Sequence, residues 1–180
     1  MSSQLTESKE TSSKTKVEDF LKTQGRIIVK IVHDISTLNA SYGATIDLTT
    51  VRIFRPLHVD ESSDGIRVEI KKDEDSDSSE SAFLDLDEVD DLVDGLRYMA
   101  KIAAQSHGYK GDYTEVVFST KGDLKVGFYV SSGKVNGFLT ISYSTIHLDI
   151  KLLTSMAQLF ESGKTYLKDT PIVYASSESA

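Results

Sequence analysis

The sequence predicts an α+β protein built from two β-β-β-β-α repeats, with antiparallel sheets each packed by one helix and the two halves pseudo-twofold related. Three observations predict it. Residues 81–104 read as a short strand running into an amphipathic helix, and the same order returns at 144–167. Each copy ends a run of strands marked by alternating apolar and polar residues. The two copies align Leu84-Asp85-Leu86-Asp87 with Ile146-His147-Leu148-Asp149.

Residues 1–15 are mostly Ser, Thr, Lys, Glu and Gln. They bury too little apolar surface to offset ordering entropy, so a disordered N-terminal tail is expected. The first half is expected over 16–108. Val17, Phe20 and Leu21 lie at helical spacing and predict one or two turns that need tertiary packing to persist. Ile27-Ile28-Val29-Lys30-Ile31-Val32 is β-branched and predicts a strand with most of both faces buried. After Tyr42-Gly43, residues 44–54 predict a long strand with a bulge at Thr49-Thr50 that re-aims Val51 and Ile53. Arg55-Pro56 ends it, because proline has no N–H to donate to a ladder. Ser63-Asp64-Gly65 predicts a turn. Ile66, Val68 and Ile70 then alternate with Arg67, Glu69 and Lys71, as in a half-exposed strand. The acidic serine stretch 73–81 is expected to be a mobile loop, since its like charges repel. Phe83, Leu84 and Leu86 predict a short strand, with Asp87 as N-cap of the following helix. Val89, Leu92, Val93, Leu96, Ala100 and Ala103 form the apolar stripe of that helix.

The second half is expected over 109–169. Strands are predicted at 114–120, 124–131 and 135–143, joined by turns at Lys121-Gly122-Asp123 and Ser132-Gly133-Lys134. Ile146 and Leu148 make a short fourth strand. A closing helix buries Leu152, Leu153, Met156, Leu159, Phe160, Gly163 and Tyr166 or Leu167, and stops at Asp169-Thr170-Pro171. Residues 170–180 read as a C-terminal tail, in which Ile172-Val173-Tyr174 has the character of an edge segment. The two halves are expected to form one compact unit.

Composition narrows function by exclusion. A chain of 180 residues with 39% hydrophobic and 27% charged residues is that of an ordinary soluble protein. No apolar run is long enough to span a bilayer, so no membrane is expected. No signal peptide is visible, which predicts a cytoplasmic protein as written; a leader already removed would make it extracytoplasmic. The absence of cysteine excludes disulfides and thiolate chemistry. The net charge of −8 is concentrated: residues 73–94 hold eleven of the 28 acids and no base, leaving 17 acids against 20 Lys and Arg elsewhere. The acidic total therefore reports one segment and is only a weak argument against nucleic acid.

The stretch Phe83-Leu84-Asp85-Leu86-Asp87-Glu88-Val89-Asp90-Asp91-Leu92-Val93-Asp94-Gly95-Leu96-Arg97-Tyr98, together with Thr120-Lys121-Gly122-Asp123-Leu124-Lys125, resembles a family of small bacterial proteins with no assigned function. The resemblance covers 25–167 in outline and implies no activity. The doubled β-β-β-β-α order is similar in topology to the whirly and purine-rich-element-binding proteins, which bind single-stranded nucleic acid. The lysine-and-glycine motif of plant whirly proteins and the basic, aromatic-rich strands of the purine-element binders are not present here, and topology does not carry function.

The sequence holds no nucleophile elbow, phosphate-cradling glycine loop or zinc-protease helix, so neither catalytic residues nor a cofactor is expected. Asp73, Asp75 and Asp77 have calcium-loop spacing, as do Asp85, Asp87 and Asp91 more faintly. Ser78 and Leu84 stand where the first loop needs Gly and Glu, and Asp90 where the second needs Gly, so no metal is expected. His33, His58, His107 and His147 are scattered without ligand spacing.

One pattern points to a surface. Leu124, Val126, Phe128 and Val130 facing the helix turns Lys125 and Tyr129 outward. Val135, Leu139 and Ile141 inward turns Phe138 outward, and Val117 joins it from the preceding strand. Val117, Lys125, Tyr129 and Phe138 thus form a candidate patch opposite the helix. It has three readings: an inter-sheet core covered by the other half, a partner or self-association surface, or a stacking platform for single-stranded nucleic acid with Lys125 on phosphate. The expected function is a non-enzymatic binding or interaction module, with single-stranded nucleic-acid binding as the alternative.

Overall fold

A computed structural model describes residues 15–73, 78–108 and 111–172. The chain runs α1 (Lys16–Leu21), β1 (Val29–Asn39), a 3-10 turn (Ser41–Gly43), β2 (Thr45–Arg55), β3 (His58–Lys71), β4 (Ser79–Asp85) and α2 (Val89–Gln105). It continues with β5 (Thr114–Ser119), β6 (Leu124–Ser131), β7 (Lys134–Ile141), β8 (Ser144–Leu148) and α3 (Leu152–Asp169). The protein is α+β. Two antiparallel four-stranded meanders, β1-β2-β3-β4 and β5-β6-β7-β8, are each packed by a helix.

The helix over each sheet comes from the other half. α2 packs on β5 and β6, whereas α3 packs on β1, β2 and β3, and the two helices touch each other. Two glycines show how closely. A Cβ on Gly95 of α2 would lie 2.8 Å from the Phe118 ring on β5, and one on Gly163 of α3 would lie 2.5 Å from Ile35 Cδ1 on β1. Both helices and the inner faces of both sheets form one core that includes Ile46, Ile66, Leu84, Leu96, Phe128 and Phe160. Val126 and Leu139 are completely buried in it, as their alternation predicts.

The α3 C-terminus is held by a charged side chain. Arg52 on β2 is 9% exposed and donates to the Leu167 and Thr170 carbonyls at the end of α3. Its guanidinium also grips both carboxylate oxygens of Asp64, the residue directly opposite it on β3. The hydrogen bond to Asp64 holds the guanidinium above its usual range. A cation here answers the negative end of the helix dipole and supplies donors to two carbonyls that lack an intrahelical partner.

Several local expectations give way to tertiary context. The β-branched start of β1 is not buried on both faces. β1 is an edge strand, with Ile31 44% and Val32 48% exposed. The bulge lies on β1, between Asp34 and Ser36, rather than at Thr49-Thr50 of β2. Val51 and Ile53 reach the outer face by ordinary alternation from Ile46 and Leu48. No turn forms at Ser63-Asp64-Gly65; β3 continues through it, and the β2–β3 hairpin turns at Pro56-Leu57. Gly65 serves close approach instead: a Cβ there would lie 2.7 Å from both the Leu84 carbonyl oxygen and Val17 Cγ2. Ser79, Glu80 and Ser81 belong to β4 instead of the acidic loop, whose residues 74–77 lie outside the described residues. Leu86 follows the strand in a turn, and Tyr143 occupies the β7–β8 turn rather than a strand.

α1 closes the outer face of the first sheet. Val17 is fully buried against Val51 and Ile53, with Phe20, Leu21, Ile28 and Phe83 around them. Thr15 is ordered as N-cap, in a capping box with Glu18, and so does not belong to the tail; residues 1–14 lie outside the described residues.

Candidate binding face

Among the described residues, the outer face of the second sheet has no such cover. Its register can be read row by row. Ser119, Lys125, Thr140 and Thr145 stand side by side across β5 to β8. The next row is Val117, Gly127, Phe138 and His147, and beyond it Glu115 faces Tyr129 and Asn136. Gly127 therefore places no side chain between Val117 and Phe138; it is itself buried, and a Cβ there would lie 2.1 Å from the Val116 carbonyl oxygen. The face carries an open groove of about 400 Å³ lined by Tyr113, Val117, Lys125, Tyr129, Phe138 and His147.

The four residues singled out from sequence, Val117, Lys125, Tyr129 and Phe138, thus line one groove together, and none of them joins the core shared by the two halves. The reading of this patch as an inter-sheet core is overturned, because the core shared by both sheets and both helices takes the opposite face of β6 and β7 and includes none of the four. Phe138 is largely buried by its neighbours on the face, Tyr129 is half-buried and Val117 is 45% exposed.

Rings line the groove in a row. Tyr113 and Tyr129 stack with centroids 5.6 Å apart, and Tyr129 tilts against Phe138 at 6.5 Å. The Tyr113 hydroxyl donates to Glu115 at 2.6 Å, and that bond to a carboxylate holds the phenol above its usual range. Thr140 and Thr145 share a hydrogen bond across β7 and β8. Past Tyr129 and His147 the groove passes into a second depression of about 570 Å³, where Tyr42, His107 and Asn136 stand. Tyr42 meets the His147 ring edge-on at 6.1 Å. Tyr113, Gly127 and His147 were not singled out from the sequence. Gly127 alone carried a signal, since it interrupts the outward series Lys125, Tyr129 on one side and Val117, Phe138 on the other.

No family model matches the chain, and neither a curated protein nor a solved structure matches it.

The acidic residues have structural occupations. Carboxylate oxygens of Asp85, Asp87 and Glu88 lie within 4.8 Å of one another, without Asp91. Asp85 is buried and accepts both the Lys16 backbone N–H, at 3.0 Å to each oxygen, and the Val17 N–H. Asp87 is not a helix cap; it pairs with the ammonium groups of Lys16 at 2.8 Å and Lys121 at 3.6 Å. The hydrogen bond from Lys16 holds the Asp87 carboxyl below its usual range. Glu88 accepts the Lys121 backbone N–H. These contacts pin α1, the start of α2 and the β5–β6 turn together. The Asp73, Asp75, Asp77 set has two of its three members outside the described residues. Among the described residues, no helix is long and apolar enough to cross a membrane.

Proposed function

We propose that the chain is a non-enzymatic binding module, and that the groove on the outer face of its second sheet receives a planar side group of an extended partner segment. The observation that carries this reading is the open groove walled by the rings of Tyr113, Tyr129 and Phe138. Flat apolar groups gain from stacking on rings at offset separations like these. The groove holds one lysine and one glutamate, which favours a nearly neutral ligand over a polyanion.

The chain has no tryptophan, so a tryptophan-containing peptide reports binding without background. Saturable change in the indole emission of short aromatic peptides, lost in Tyr129→Ala, is the expected result. No saturable change with any such peptide overturns the reading.

A second reading, single-stranded nucleic-acid binding, draws on the same rings and on Lys125 in the row beside them. Base stacking is sequence-tolerant, and phosphate contacts make binding salt-dependent. Anisotropy of a labelled oligothymidine at low salt separates the two: a salt-sensitive rise that disappears in Lys125→Ala favours nucleic acid, and a flat trace removes it.

A further inference from the structure

We infer that β1 is a self-association edge, and that two copies of this chain pair antiparallel along it with Val32 on the twofold axis. β1 is eleven residues long and lies at the end of its sheet, with no strand against its free side among the described residues. The other edges are blunted by comparison. β4 opens on Ser79-Glu80-Ser81 next to the acidic stretch, β5 has six residues and β8 five. Natural proteins protect a long edge with proline, bulges or repeated charges, because its unpaired N–H and C=O groups template pairing. Residues 29–34 of β1 contain none of these beyond Lys30 and Asp34, and they expose Ile31 and Val32.

Those two charges select the partner. Pairing of a strand with its own copy must keep side chains on matching faces, so only registers centred on a residue extend the sheet. Centring on Lys30 opposes two lysines, and centring on Asp34 opposes two aspartates. Centring on Val32 sets Lys30 opposite Asp34 of the second copy, and Asp34 opposite its Lys30. No other centre within 29–34 makes either pair. In the same register Val32 meets Val32, and Ile31 meets His33, whose ring is backed by Tyr166 at 3.9 Å. Lys30 and Asp34 are exposed, and neither has a partner among the described residues, so both are available for this pairing. The bulge at Ile35 marks where the paired run ends.

The test uses the full chain in sedimentation equilibrium. Wild type is expected to be dimeric. Lys30→Asp and Asp34→Lys are each expected to be monomeric, because each opposes like charges twice. An equimolar mixture of the two variants is expected to dimerise again, because each supplies the charges the other lacks. Amide exchange on wild type gives a second measure: protection of residues 30–34 should rise with protein concentration. A wild type that stays monomeric at the highest soluble concentration overturns the inference, as does a strap formed by the chain's own C-terminal segment, which would give concentration-independent protection. Single variants that remain dimeric, or a mixture that remains monomeric, overturn it equally.

Discussion

The two sheets share a strand order and an inner-face helix, yet their outer faces differ. The first sheet is clad on both sides: α3 lies inside, and α1 lies outside over Val51 and Ile53. Among the described residues the second is clad inside only, by α2, and presents rings, threonines and one lysine outward. The difference traces to what precedes each sheet. The first half begins with a capped apolar turn that Asp85 and the Val17 side chain fasten down, whereas β5 follows the α2–β5 connection without a helix of its own. The uncovered face is the one on which the proposed binding function rests.

If cladding is what distinguishes the sheets, its removal should be costly on the first and cheap on the second. The largest effect is expected from Arg52→Met, which frees the end of α3 and leaves Asp64 without its partner. Breaking a largely buried ion pair from one side costs about 3 kcal/mol, the low end of the usual range because Asp64 retains some solvent. Chemical denaturation should show this as a lower midpoint with an unchanged slope. Val17→Ala strikes the outer cladding. It removes two buried methyl groups between α1 and β2 and should cost about 2 kcal/mol, with early loss of amide protection in α1. A near-neutral result for Val17→Ala would mean that α1 merely rests on the sheet, and the contrast between the two outer faces would lose its physical basis.

Much of this arrangement was legible in the residues, and the failures have a common cause. Alternation along Leu124, Val126, Phe128 and Val130 assigned the inner face of β6 correctly, and so placed Lys125 and Tyr129 outward. What alternation does not contain is the identity of the element on the other side. α2 and α3 carry similar apolar stripes, so nothing local says that each crosses to the other half's sheet. The same blindness explains Ser63-Asp64-Gly65. Its composition is that of a turn, but Asp64 is there for Arg52 on the neighbouring strand and Gly65 for Val17, far away in sequence. On β1 a β-branched run reads as buried because propensity does not distinguish a central strand from an edge. In the groove, Tyr113 lies before its strand begins and His147 on a strand whose register the sequence leaves open, so neither joined the set found by counting alternation.

Smaller effects sharpen the contrast. The Asp87–Lys16 pair helps to hold α1, and its contribution has a definite pH dependence. The folded carboxyl titrates below its ordinary value of 3.8, so the stabilisation is present above that pH and is lost as pH falls through the lower, folded value. Asp87→Asn removes it, and the gap in stability between wild type and variant should close on acidification below about pH 4. Both groups are exposed, so the gap is small throughout. A gap that widens in acid would show that Asp87 acts through something other than this pair.

A small stability change is also expected where the functional change is largest. Tyr129→Ala removes a half-buried ring from the bare face, along with its contacts to Tyr113 and Phe138, and should cost about 1 kcal/mol or less. Its inner-face neighbours on β6, Phe128 and Val130, are buried against the core, so the sheet itself should persist with unchanged far-ultraviolet dichroism. Set beside Val17→Ala, the variant compares the two outer faces directly. A ring that can be deleted with less loss than two methyl groups on the clad sheet is not retained for packing. If Tyr129→Ala instead unfolds the protein as readily as Val17→Ala, the groove is a structural surface after all, and the second sheet is as dependent on its outer face as the first.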